Sequence, residues 1–125
     1  LSPGKAHFAA NWAPLRQWIR AQHPALVVHT GDVTVDGAGV DTDLAHCAAH
    51  FADLGIPVYA VPGNHDVGEP LHAHQPTNAD RVQRWRRHFG RDYWSRDIER
   101  WPSIKIDGQD HGTGAGSSPR SLRGW

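Results

Sequence analysis

Two short apolar runs, each cut off by a glycine and followed at once by polar residues, limit what this chain can fold into. Pro57-Val58-Tyr59-Ala60-Val61 leads into Pro62-Gly63-Asn64-His65-Asp66, and Ala25-Leu26-Val27-Val28-His29-Thr30 leads into Gly31-Asp32. The near-continuous apolar character suggests strands buried on both faces, as in a parallel sheet. Between them Asp41 can cap a helix in which Leu44, Ala48, Phe51 and Leu54 share a face, and Gly55 supplies its stop. A helical crossover of this length joins parallel strands with right-handed chirality. Asp32 and the Asn64-His65-Asp66 group then leave the sheet at the same carboxyl edge, where open α/β sheets bind ligands.

The rest of the chain is arranged around that unit. Residues 1–10 read as a loop. A helix follows, with Asn11 as N-cap, Pro14 in the first turn and Leu15, Trp18 and Ile19 in one apolar stripe, and Pro24 ends it. Residues 33–39 form a glycine-rich loop, and 69–77, with two prolines and the pair His72 and His74, form an excursion. Asn78 caps a helix running to His88 and closed by Gly90, with Val82, Trp85 and Phe89 on one side. Ser103-Ile104-Lys105-Ile106 alternates as a strand does. From Gly108 the chain has the composition of a disordered tail, so one domain is expected over 1–107 and a tail over 108–125.

Composition narrows the function classes. A chain of 125 residues makes one domain at most, and 13 Lys and Arg against 13 Asp and Glu argue against a general polyanion binder, nucleic acid included. The single cysteine, Cys47, forms no internal disulfide and is expected in the core beside the apolar stripe. No run approaches a membrane span and no signal peptide opens the chain, so the expectation is a soluble, cytoplasmic protein without a membrane partner. The absence of methionine, with Leu at position 1, leads to the expectation of a processed chain or a fragment.

An Asp and an Asn-His pair on adjacent loops offer oxygen and nitrogen donors suited to Mn, Fe or Zn, and a carboxylate can bridge two ions about 3.5–4 Å apart. By itself, an Asp after a strand is more often a turn or cap residue. Together, Val28-His29-Thr30-Gly31-Asp32-Val33 and Val61-Pro62-Gly63-Asn64-His65-Asp66 resemble the second and third signature blocks of the calcineurin-like metallophosphoesterases. That resemblance is close over residues 25–68. It implies an α/β/β/α sandwich, present in part, and hydrolysis of phosphomonoesters or phosphodiesters at a dinuclear centre of two divalent ions (Mn, Fe or Zn). The implied substrate is a small phosphate ester or a nucleotide.

Residue by residue, the resemblance makes Asp32 the metal-bridging carboxylate, Asn64 a ligand to the second ion, and His65 the catalytic histidine that contacts the phosphate. Gly31 and Gly63 would let the backbone turn beside the ions. The attacking group would be a hydroxide from water, since no Ser, Cys or Thr is placed to attack. Ending the block in Gly-Asn-His-Asp leans the resemblance toward the cyclic-nucleotide phosphodiesterase-like branch. The family's D-x-H block, its later isolated His and its G-H-x-H block are absent; Leu1-Ser2-Pro3-Gly4 resembles the residues that come directly after a D-x-H block. His72-Ala73-His74 lacks the strand and glycine that precede G-H-x-H. Asp36 falls one place beyond the family's acidic position, and Asp36 and Asp66 are assigned either to support of the ligands or to turns.

Two other constellations have competing readings. His46 and His50 lie four apart on the second helix, a spacing compatible with a metal but also with a solvated face. Arg84-Trp85-Arg86-Arg87 through Arg91, Tyr93, Trp94 and Arg96 mixes cations with aromatics, as nucleic-acid grooves do. Interleaved Asp92, Asp97 and Glu99 favour a salt-bridged helix packed by Trp85 and Trp94. The alternative function is therefore an inactive remnant that binds a partner through this Arg/Trp-rich segment.

Overall fold

The computed structural model describes residues 1–98 and 101–107. The tail expected over 108–125, and Glu99, lie outside these. The described chain mixes helices and strands: α1 (Ala6–Ala9), α2 (Trp12–Ala21), β1 (Val27–His29), α3 (Asp41–Asp53), β2 (Val58–Ala60), α4 (Asn64–Val67), α5 (Ala79–Phe89), β3 (Tyr93–Ile98) and β4 (Trp101–Asp107). Among the described residues no helix is long and apolar enough to cross a membrane.

The strand–helix–strand unit forms as its apolar pattern implies. β1 and β2 pair in parallel, with Val27 opposite Val58, Val28 opposite Tyr59 and His29 opposite Ala60. Both strands are shorter than the apolar runs and mostly half-buried rather than enclosed on both faces. Their sheet has only two strands among the described residues, so each strand is paired along one edge. α3 ends at Leu54 and Gly55, whose φ of +68° is the left-handed conformation that glycine adopts without steric cost. Its start differs from expectation. Val40 holds the N-cap position in an extended conformation, and no side chain caps the helix. Asp41 lies one place inside and turns to α5, 3.1 Å from His88 Nε2 and 3.4 Å from Arg87.

The core forms where α3 and α5 meet the sheet. Leu44, Cys47, Val33, Ala60, Val67 and Trp85 are buried together, with Leu1, Phe51 and Phe89 packed against them. Trp85 stacks on Phe89 with ring centroids 4.3 Å apart, and Phe89 meets Phe51 edge-on at 5.9 Å. Asn78 caps α5 by accepting a hydrogen bond from the Arg81 backbone at 3.0 Å. The salt-bridged character expected of this segment is present, in Arg86 with Asp92 and Arg87 with Asp41.

The first part of the chain departs from its sequence reading at two points: residues 1–10, expected as a loop, include α1, and Asn11 does not cap α2. α2 has no buried residue, and Leu15 and Trp18 of its apolar stripe are 47% and 62% exposed. Hydrogen bonds tie it down instead, from Arg16 to Asp53 and from Arg20 to the carbonyls of Asp53 and Leu54. Asn11 sits at the cap position of α2 with helical φ and ψ, and its side chain makes no cap bond. Trp94 lies on β3, which pairs antiparallel with β4, Trp94 opposite Ile106. The Trp94 indole donates to the Ala60 carbonyl at 3.2 Å and its ring lies 5.1 Å from Tyr59, so the hairpin is fastened to β2.

Candidate active site

The loops after β1 and β2 interlock at the carboxyl edge of the sheet, and their glycines allow it. Gly31 has φ +117°, and a Cβ there would come within 3.1 Å of both the Gly63 Cα and the Gly63 nitrogen. Gly63 is extended, with φ −100° and ψ −174°, so it does not serve as a sharp turn. It serves close approach, since a Cβ on Gly63 would run into the Asp32 carboxylate and reach the Asp32 nitrogen at 2.5 Å. Asp32 itself has φ +55°, an uncommon conformation for a residue with a side chain and one that concentrates at functional sites.

Asp66 holds the two loops in register. Its fully buried carboxylate accepts from the Val33 nitrogen at 3.1 Å, the Thr34 nitrogen at 2.9 Å, the Thr34 hydroxyl at 2.7 Å and the Gly63 nitrogen at 2.9 Å. Charge-assisted hydrogen bonds of this kind are roughly twice as strong as neutral ones. Asp66 is thus the strut of the site. It also closes the first turn of α4, in which Asn64 and His65 are the first two residues.

On that scaffold Asp32, Asn64 and His65 come together. Asp32 Oδ1 accepts from the His65 backbone nitrogen at 3.0 Å. The other Asp32 oxygen and the Asn64 side chain have no hydrogen-bond partner among the described residues, which leaves both as uncommitted donors at one edge. The His65 ring is oriented by Nδ1, 2.8 Å from the Val35 carbonyl. A carbonyl only accepts, so Nδ1 carries the proton and Nε2 is the nitrogen that can exchange one.

The remaining assigned residues lie elsewhere. Asp36 is a turn residue whose carbonyl accepts from Gly39 and Val40, and its carboxylate pairs with Lys5 at 2.7 Å. His72 and His74 are exposed in the excursion, where His72 Nδ1 accepts from the backbone nitrogens of His74 and Gln75. Among the described residues no three His, Cys, Asp or Glu side chains converge in a group that could hold a metal ion. Asp32 and Asn64 are therefore oxygen donors of the right kind for a divalent cation, but two in number, where a catalytic zinc-type centre has three protein ligands.

On its other side Asp32 lines an open, mainly apolar groove of about 240 Å³, bounded by Leu1, Trp12, Leu15, His29 and Phe51 among others. Burial lowers the pKa of His29 against the opposing pull of Asp66, so this wall of the groove disfavours a charged imidazole. Near it the first residues fold in: the Leu1 nitrogen donates to the Val33 carbonyl at 2.7 Å, and the buried Ser2 hydroxyl donates to Asp43. From the sequence Ser2 reads as a loop residue. Nothing in a Ser-Pro-Gly series signals a partner 41 residues away.

Compared with known proteins, residues 5–123 match the model of the family described as calcineurin-like phosphoesterase. No curated protein and no solved structure matches the chain.

Proposed function

The chain belongs to the calcineurin-like phosphoesterase family, and from that premise we propose that its Asp32–Asn64–His65 edge serves metal-dependent hydrolysis of a small phosphate ester or nucleotide. The observation that carries this reading is the 3.0 Å hydrogen bond from the His65 backbone nitrogen to Asp32 Oδ1, which ties the loop that carries Asn64 and His65 to the loop that carries Asp32. Asp32 and Asn64 would hold divalent metal; such an ion neutralises phosphoryl charge and acidifies water. His65 acts through Nε2. Because the Val35 carbonyl keeps Nδ1–H in place in both charge states, a proton gained at Nε2 can be passed to the leaving oxygen.

The rival reading, an inactive remnant that binds through the Arg/Trp-rich segment 84–96, is less well supported at the α5 end of that segment. Arg81 and Arg84 both donate to the Ala38 carbonyl, while Arg86 and Arg87 pair with Asp92 and Asp41. Those cations are committed inside the chain. A donor pair rather than a full ligand set also implies weak metal binding and slow turnover by this chain alone. The test is hydrolysis of p-nitrophenyl phosphate and its bis ester with and without Mn²⁺, with calorimetry alongside. We expect weak Mn²⁺ binding lost in Asp32→Ala, and slow Mn²⁺-dependent turnover that drops about 10²-fold or more in His65→Ala. Turnover indifferent to both substitutions would remove these residues from the chemistry, and tight binding of two ions would refute the donor count.

A further inference from the structure

α3 carries a second cluster of metal-capable groups that shares no residue with the Asp32 edge. His46 and His50 stand four residues apart, on one face of the helix. Their Nε2 atoms are 3.0 Å apart, and the rings meet edge-on at 89° with centroids separated by 4.3 Å. Two imidazole nitrogens on a tetrahedral ion with bonds of 2.0–2.1 Å would sit about 3.3 Å apart. The pair is therefore within a few tenths of an ångström of a chelating bite. Neither ring makes another hydrogen bond among the described residues, so both Nδ1 atoms are available to carry the proton that frees Nε2 for a metal. Trp12 lies 5.4 Å from the His50 ring and supports it from one side. Both histidines are half-buried, which restricts their rotamers while leaving the ion open to water.

We propose that His46 and His50 form an accessory two-imidazole site for a borderline transition-metal ion, of the class Cu²⁺, Ni²⁺ or Zn²⁺. Water completes its coordination. Imidazole donors favour these ions over Mn²⁺ and Mg²⁺, which prefer oxygen, so the helix site takes up little of the Mn²⁺ that the Asp32–Asn64 edge would hold. Two protein ligands with no outer hydrogen-bond support make an exchangeable site rather than a structural one.

The test is titration of the full chain with NiCl₂ by calorimetry, paired with NMR of the histidine Cε1–H signals under substoichiometric Cu²⁺. One Ni²⁺ should bind per chain in the native protein and equally in the Asp32→Ala/Asn64→Ala variant. Affinity should fall at least about tenfold in His46→Gln and in His50→Gln, since loss of even an outer-shell partner costs 10- to 100-fold. Cu²⁺ should broaden the signals of His46 and His50 before those of the exposed pair His72 and His74, a readout that needs no variant. Binding that survives both glutamine substitutions, that disappears with Asp32 and Asn64, or that broadens His72 and His74 first would overturn the assignment.

Discussion

Asp66 takes its hydrogen bonds from residues 33 and 32 positions upstream as well as from its neighbour Gly63, and no solvent reaches it. An Asp66→Asn substitution keeps the shape but replaces one accepting oxygen with an NH₂ group that must face a backbone N–H. Buried donors left without acceptors cost about 1–3 kcal/mol each, and bonds to a charged acceptor are at the strong end of the range. We expect Asp66→Asn to lower stability by roughly 2–4 kcal/mol, read as a fall in the urea midpoint. A loss below about 0.5 kcal/mol, the usual range for surface changes, would mean that the loops hold each other without the carboxylate. That the loops carrying Asp32 and Asn64-His65 leave the same edge of a parallel pair was legible in the sequence, because an apolar run broken by a glycine and polar residues is a local pattern. The role of Asp66 was not, since a buried carboxylate is defined by partners that only the folded loops bring to it.

α2 and α5 look alike as sequences, each with an apolar stripe at helical spacing, and the structure treats them differently. Trp85 on α5 is completely buried and stacked on Phe89, whereas Trp18 on α2 is 62% exposed. Periodicity tells which residues share a face but not whether another element covers that face. The same limit applies to β3. Its Tyr-Trp pair sits among charged residues, and its strand conformation comes from antiparallel pairing with β4 rather than from an alternating pattern of its own. The two helices make opposite predictions. Trp85→Ala should cost about 3–5 kcal/mol, the range for a large aromatic removed from a packed core. Trp18→Lys should change stability by no more than about 0.5 kcal/mol, as at other surface positions. Urea unfolding of the two variants against the parent chain checks both; comparable losses would show that α2 is buried in solution.

For the molecule as a whole, the chain's zero formal charge conceals a pH dependence carried by two of its 10 histidines, His29 and His50. His29 is held against Phe51, with ring centroids 5.6 Å apart, and burial lowers its pKa; burial, then the neighbouring His46, lowers that of His50. In each case the folded protein disfavours the charged imidazole while the unfolded chain titrates near 6.5. The unfolded state therefore binds more protons than the folded one once pH falls toward that value, and stability rises with pH wherever that holds. The contribution of these two groups is fully present above about pH 7.5, and it is lost as pH drops through 6.5 toward their lowered folded values. Asp41 acts lower on the scale. Its hydrogen bond from His88, reinforced by Arg87, lowers its pKa, so its stabilisation persists above the ordinary carboxylate range and fades only on further acidification. Between pH 7.5 and 5.5 the two histidines should govern the slope. In buffer containing EDTA, so that no metal holds His46 and His50 in their neutral forms, the urea midpoint should fall steadily across that interval. His29→Phe, which keeps a ring against Phe51 but cannot take a proton, should flatten the decline, and adding His50→Gln should flatten it further. A midpoint that rises on acidification would mean that these imidazoles gain an anionic partner in the folded state, and that the groove beside Asp32 favours a charged His29 rather than disfavouring it.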